Sequence, residues 1–139
     1  MQYESERNKN SNLVSDVYDC SAWEKRMGQN NDRIGILLCA DGVPIYTGRS
    51  VVPLVCQMLS LPPNLRTKEE YMLLSMLFPA TLKAGAQKKY FDFLVGVELN
   101  PLATVGVRHA NGFTKVVVFG STLDLPGRDN FFQLRGLCV

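Results

Sequence analysis

Two carboxylates are marked by what precedes them. The run "RIGILLCADG" closes an apolar stretch on Asp41, and "KVVVFGSTLD" closes another on Asp124. An acid in that position is a hard oxygen donor held at a strand end. If the two strands are parallel neighbours, about 4.8 Å apart, their ends share one edge and both acids reach a single cation. Two ionised carboxylates that close repel, and one takes up a proton unless a cation neutralises the pair. An oxygen-only pair of this kind suits Mg²⁺ or Mn²⁺. The same residues also read as ordinary turns, because "ADGVP" and "LDLPGRD" are both rich in turn formers. Which reading holds depends on whether the fold brings the two ends together.

Other chemistry is thinly supplied. The four cysteines, Cys20, Cys39, Cys56 and Cys138, form no C-x-x-C pair, and with the single histidine, His109, they make no zinc pattern. Cys39 and Cys56 sit in apolar runs and are expected to be reduced thiols acting as small hydrophobes. His109 precedes "ANGF" and is expected in a loop. With 20% charged residues and a net charge of +2, the chain announces no strong field for a nucleic-acid partner. Arg49, Arg66, Lys68, Lys83, Lys88 and Lys89 either contact phosphates or form an ordinary solvated face. No apolar run approaches the ~18 residues of a membrane span, so a soluble chain with no membrane partner is expected. The polar stretch "MQYESERNKNSN" is unlike a targeting sequence, and residues 1–14 read as a disordered leader before a single domain over 15–139.

The elements that must position the acids follow from patterning. Val17, Trp23 and Met27 have helical spacing, with Ser15 or Asp16 as N-cap and Gly28 as stop. "QNNDR" is a turn. Ile34–Ala40 is apolar on both faces, which suits a strand covered on two sides. "DGVP" breaks it. "VVPLVCQMLS" is a second strand, whose Pro53 suits an edge or a bulge. "YMLLSMLFPA" is a third, ending at Pro79, and Thr67 begins a short helical turn in the connection before it. A helix is expected over 84–100, with Tyr90, Leu94 and Val97 as its apolar stripe, widened by Phe91, Phe93 and Val95, and with Pro101 as its stop. "HANG" turns into the strand "FTKVVVFGS". The tail "FFQLRGLCV" is apolar. The order strand, strand, strand, helix, strand is informative, because a parallel return needs a crossover of a dozen or more residues. The helix supplies that crossover before the strand that ends on Asp124.

In that order, "DVYDCSAW", "NDRIGILLCADGVPIY", "LSLPPNLRTKEEYMLLSMLFPATLK", "QKKYFDF" with "GVELNPL", and "KVVVFGSTLDLPGR" resemble the transposases of CACTA (En/Spm-like) DNA transposons, the tnp2 family, from about Asp16 to Arg128. The resemblance implies an α/β fold with an RNase H-like mixed sheet, here a partial one of about four strands plus a crossover helix. It implies catalytic and metal-binding roles for Asp41 and Asp124, the first bridging two divalent ions and the second holding one. The chemistry implied is phosphoryl transfer on DNA, with transposon ends as partner and the nucleus as location. The family's third acid lies well downstream of the second, and Asp129 is too close to Asp124 to fill that place. The expectation is therefore a fragment that holds Mg²⁺ or Mn²⁺ weakly, self-associates and is inactive alone. The alternative is a non-catalytic, repurposed DNA- or protein-binding module.

Overall fold

The computed structural model describes residues 16–27 and 33–123. The chain opens with a 3₁₀ turn, Val17–Asp19, followed by α1 (Ser21–Met27). Asp16 is the N-cap. Its side chain accepts from the Val17 N–H at 2.6 Å, while the Asp16 N–H donates to Asp19 Oδ2 at 3.0 Å. That reciprocal pair satisfies backbone groups which the first turn leaves without helical partners. Gly28 and the expected turn after it lie largely outside the described residues, as do the leader, Asp124 and the apolar tail.

The strands are β1 (Arg33–Ala40), β2 (Val43–Tyr46), β3 (Arg49–Met58), β4 (Met72–Pro79), β5 (Val107–His109) and β6 (Gly112–Leu123). Together they form a mixed, six-stranded sheet in an α/β domain. About four strands were expected, and two short ones were missed. Past the break at Asp41–Gly42, β2 continues the line of β1 and turns into β3 through Thr47–Gly48, where Gly48 adopts φ +78°. That left-handed conformation is one a β-carbon disfavours. β5 is the outer arm of a hairpin with β6, and His109 lies on it instead of in a loop.

β3 is central. One edge pairs antiparallel with β1 and β2, and the other pairs with β4. An edge position for Pro53 is therefore wrong. The ladder with β1 stops at Leu54 and resumes with β2 at Val51, so Pro53 falls in the gap left by the Asp41–Gly42 break. A residue without an N–H is tolerated where the ladder is already interrupted. Between β3 and β4, α2 (Pro63–Arg66) and a 3₁₀ turn (Glu69–Tyr71) cross the sheet end; Thr67 closes the first of these and does not begin it.

The crossover is one long helical stretch: α3 (Ala84–Phe93), a π-helical turn (Leu94–Leu99) and α4 (Asn100–Thr104). Pro101 does not end it. The Asn100 N–H bonds to the Val95 carbonyl five residues back, and the wider π turn carries the chain past a proline that needs no donor. The same widening changes the buried face. Phe91, Leu94 and Leu99 are buried, the last two five apart, whereas Tyr90 and Val97 are more than half exposed. Of the expected stripe, Phe91 and Leu94 are buried and Val95 packs on the core, whereas Tyr90, Phe93 and Val97 are exposed; Val97 misses because 3.6-residue spacing does not apply through the π turn.

Both sheet faces at β1 are covered. Ile36, Leu38 and Ala40 pack with Leu54, Cys56 and Phe78 beneath Phe91, Leu94 and Leu99. On the opposite face, Leu37, Val117 and Phe119 meet Tyr18, Trp23, Met27 and Leu59. Trp23 lies directly on the backbone of Gly35, where an added β-carbon would come within 2.6 Å of its ring.

Candidate functional site

β1 and β6 are adjacent and parallel, as expected from the strand order, and Ala40 is the register partner of Leu123. The residues immediately before the two candidate aspartates therefore lie level. This level depends on a bulge. The pairing runs Ile36 with Val118 and then Leu37 with Gly120, so Phe119 is an extra residue in β6. Without it, Ala40 would face Thr122. A bulge leaves backbone groups outside the ladder, and here the Phe119 carbonyl accepts from Arg26 Nη1 at 2.6 Å. The Phe119 ring lies 5.2 Å from Trp23, and the Arg26 guanidinium sits 5.9 Å from its centroid. Arg26 and Phe119 thus position the strand ends. Neither was singled out from sequence, and only the glycine after Phe119 hinted at an irregular strand.

Asp41 is exposed at the end of β1, and its Oδ1 accepts from the Gly42 N–H at 2.7 Å. It borders a shallow depression of about 520 Å³, walled by Cys39, Val43, Pro53, Val55, Met72 and Thr122. The wall is mainly apolar. Among the described residues no three His, Cys, Asp or Glu side chains converge as metal ligands. A single carboxylate holds a divalent ion poorly, since hard cations take six or more oxygens. The described donor set fits a cation only if Asp124, outside the described residues, adds a second carboxylate.

The basic residues separate into groups. Arg66 is removed from the list of phosphate contacts. It is buried, and its Nη1 and Nη2 bond the Asp16 carboxylate at 2.6 and 2.9 Å while Nε donates to the Leu61 carbonyl. Lys88 pairs with Asp92 one turn on, beside a larger cavity of about 660 Å³ between the crossover helix and β6. The Arg49 guanidinium stands 5.5 Å from the Tyr46 ring. Lys68, Lys83 and Lys89 are exposed.

The thiols are free at Cys20, Cys39 and Cys56. Burial pushes the Cys56 thiol above its ordinary value of 9.0, against a hydrogen bond with Ser75 that lowers it, and the nearby Cys39 and Glu98 raise it further. An acid whose pKa is raised in the fold contributes stability below its unfolded pKa, and loses it as pH climbs through the folded value. A thiol-reactive probe at neutral pH is expected to label half-buried Cys20 and Cys39 before Cys56. Mass spectrometry of the time course checks the order, and early labelling of Cys56 would contradict it.

Among the described residues no helix is long and apolar enough to cross a membrane. In comparisons with known proteins, no family model matches the chain, and no curated protein or solved structure matches it significantly.

Proposed function

We propose that this chain carries the front part of an RNase H-like catalytic core of a CACTA-type DNA transposase, with Asp41 and Asp124 as its two strand-end acids. The observation that carries the reading is the β1–β6 register. Its bulge offsets the strands by one residue, so that Ala40 and Leu123, the residues immediately before the two acids, are register partners. A slip of one would turn Leu123 to the opposite face of the sheet from Ala40. Three antiparallel strands, a crossover helix and a strand parallel to the first also suit the order that the sequence resemblance implies.

In this reading Asp41 and Asp124 hold a Mg²⁺ or Mn²⁺ ion. When bound, the metal supplies charge stabilisation for in-line phosphoryl transfer on DNA. Asp41, tied to its own turn by the Gly42 N–H, presents a carboxylate of restricted orientation at the sheet edge. Asp41 lies beside the apolar wall of Val43, Pro53 and Val55, and the level ends of β1 and β6 suit a second acid next to it. Transposon-end DNA is the proposed partner and the nucleus the proposed location. Among the described residues β4 pairs only with β3, which favours a second reading, a non-catalytic module that works by association through the other edge of β4.

Mn²⁺ should raise the melting temperature by mass action on the folded state, and Asp41→Asn should remove most of that shift. Equal responses in the two proteins would sink the metal assignment and leave the association reading. Two carboxylates leave a second ion without a full set of protein ligands, and loose positioning of this kind costs orders of magnitude in rate. The chain alone is therefore expected not to cleave DNA bearing transposon ends in Mg²⁺ or Mn²⁺. Cleavage that Asp41→Asn abolishes would show that the site is complete as it stands.

A further inference from the structure

Among the described residues the outer edge of β4 has no strand partner, and apart from a bulge and the terminal Pro79 it carries no feature that discourages pairing. Edge strands commonly carry lysine or an inward charge that discourages pairing with another chain. From Tyr71 through Leu82 this chain has no charged residue. Leu73, Leu74 and Leu77 on β4 are 60%, 62% and 56% exposed. Register partners in an antiparallel pair share a face. Leu74 therefore stands beside Val55, and Leu77 beside Pro53, on the face opposite the crossover helix. Cys39 extends the first row across β1. The result is an apolar strip that α1 does not reach, running from the depression beside Asp41 to the sheet edge. A bulge between the Leu54 and Val55 pairings twists this edge, but it adds no charge.

The outer edge of β6 past Thr114 also lacks a strand partner among the described residues. Its side chains from Lys115 to Gly120 are half-buried between the helical layers, so pairing there would cover little apolar surface. β4 offers both backbone groups and exposed leucines. The charges at its two ends complete the case. Exposed Lys68, Glu69 and Glu70 precede it with a net negative charge, and exposed Lys83 follows it. An antiparallel pairing of β4 with a second β4 brings each acidic end to the basic end of the other copy.

We propose that β4 is a self-association edge. Two copies of the chain pair β4 with β4 about a two-fold axis, forming one continuous sheet with Leu74 and Leu77 of each copy packed across the seam. The arrangement is isologous and closes at two, because each copy uses up the same edge. It does not depend on the transposase reading.

Sedimentation velocity of the full chain over a concentration series tests this. A monomer–dimer equilibrium is expected. Leu74→Lys should raise the dissociation constant by about tenfold or more, because symmetry applies the lost contact twice. The monomer's melting temperature should stay unchanged, since Leu74 is mostly exposed. Reversing the acidic end with Glu69→Lys and Glu70→Lys should weaken association by about tenfold, and adding Lys83→Glu should restore it. That rescue is specific to antiparallel β4 pairing. If Leu74→Lys fails to fold, the charge-reversal set, confined to exposed residues, decides alone. A monomer at every concentration, assembly beyond a dimer, or a charge reversal that Lys83→Glu leaves unrescued would overturn the proposal.

Discussion

Asp16→Ala is expected to destabilise the fold by about 3–5 kcal/mol, the range for stripping one partner from a buried ion pair. The Arg66 side chain is 10% exposed and that of Asp16 only 5%, and the two are joined by a bidentate contact. Arg66 also lies 5.6 Å from the Tyr18 ring, whose hydroxyl donates to the Leu59 carbonyl. Without Asp16, the buried guanidinium keeps only the neutral Leu61 carbonyl among its described hydrogen-bond acceptors. The first turn also loses a cap worth about 1 kcal/mol. For a domain near this size the melting temperature should fall by on the order of 10–15 °C. Most domains have only about 5–15 kcal/mol to lose. The double variant Asp16→Ala, Arg66→Met is expected to recover much of the loss, since an apolar side chain of similar length carries no charge to strand. Chemical denaturation of the two proteins checks both statements. A double variant no more stable than Asp16→Ala would mean that the loss comes from the cap and packing, not from the orphaned charge.

Trp23→Ala should cost about 3–5 kcal/mol, as for other large aromatic truncations in cores. Trp23 is 3% exposed; it joins α1 to the sheet through Phe119 at 5.2 Å and the bare backbone of Gly35, and packs on Tyr18 of the preceding turn at 4.4 Å. The contact at Gly35 makes a companion prediction. A methyl there would sit 2.6 and 2.8 Å from two carbons of a rigid indole. Gly35→Ala must therefore displace the ring, at about 1–3 kcal/mol. Because the chain has a single tryptophan, its fluorescence reports the displacement directly. Gly35→Ala should shift the emission to the red in the native state, with a lowered denaturation midpoint. An unshifted spectrum with full stability would show that α1 does not seat on β1 in this way. The displaced ring also bears on the site. Trp23 and Arg26 hold Phe119, and Phe119 sets the register of the strand ends, so Gly35→Ala should weaken any Mn²⁺ response too.

Much of the layout was legible in the residues. Ile34–Ala40 is apolar at every position, and a strand like that must be covered on both faces; the structure covers it with the crossover helix and α1. The order of the remaining patterns allowed a parallel return beside it through the crossover helix, and β6 provides one. A cap at Ser15 or Asp16 was readable because a short polar side chain before an apolar-periodic stretch satisfies free N–H groups; the structure uses Asp16, on a 3₁₀ turn that precedes the helix and not on the helix itself. These features are local or combinatorial. They depend on which side chains follow one another, and a single chain states that directly.

Tertiary structure decided the rest. Four-residue β2 and three-residue β5 are too short for any periodicity to show, and exist because neighbouring strands pair with them. The π turn, which exposes Val97 and carries the helix past Pro101, answers to packing across five residues instead of four. Arg66 read as a surface cation, because nothing near it in sequence says that Asp16, fifty residues away, will accept it in the interior. The alignment of the two strand ends depends on Phe119 bulging out of a run of valines, with Arg26 satisfying its carbonyl. Register is a relation between two strands, and neither strand alone encodes it. The sequence by itself determined that an apolar run leads up to each acid; only the packing around Phe119 decided that the residues before them stand level.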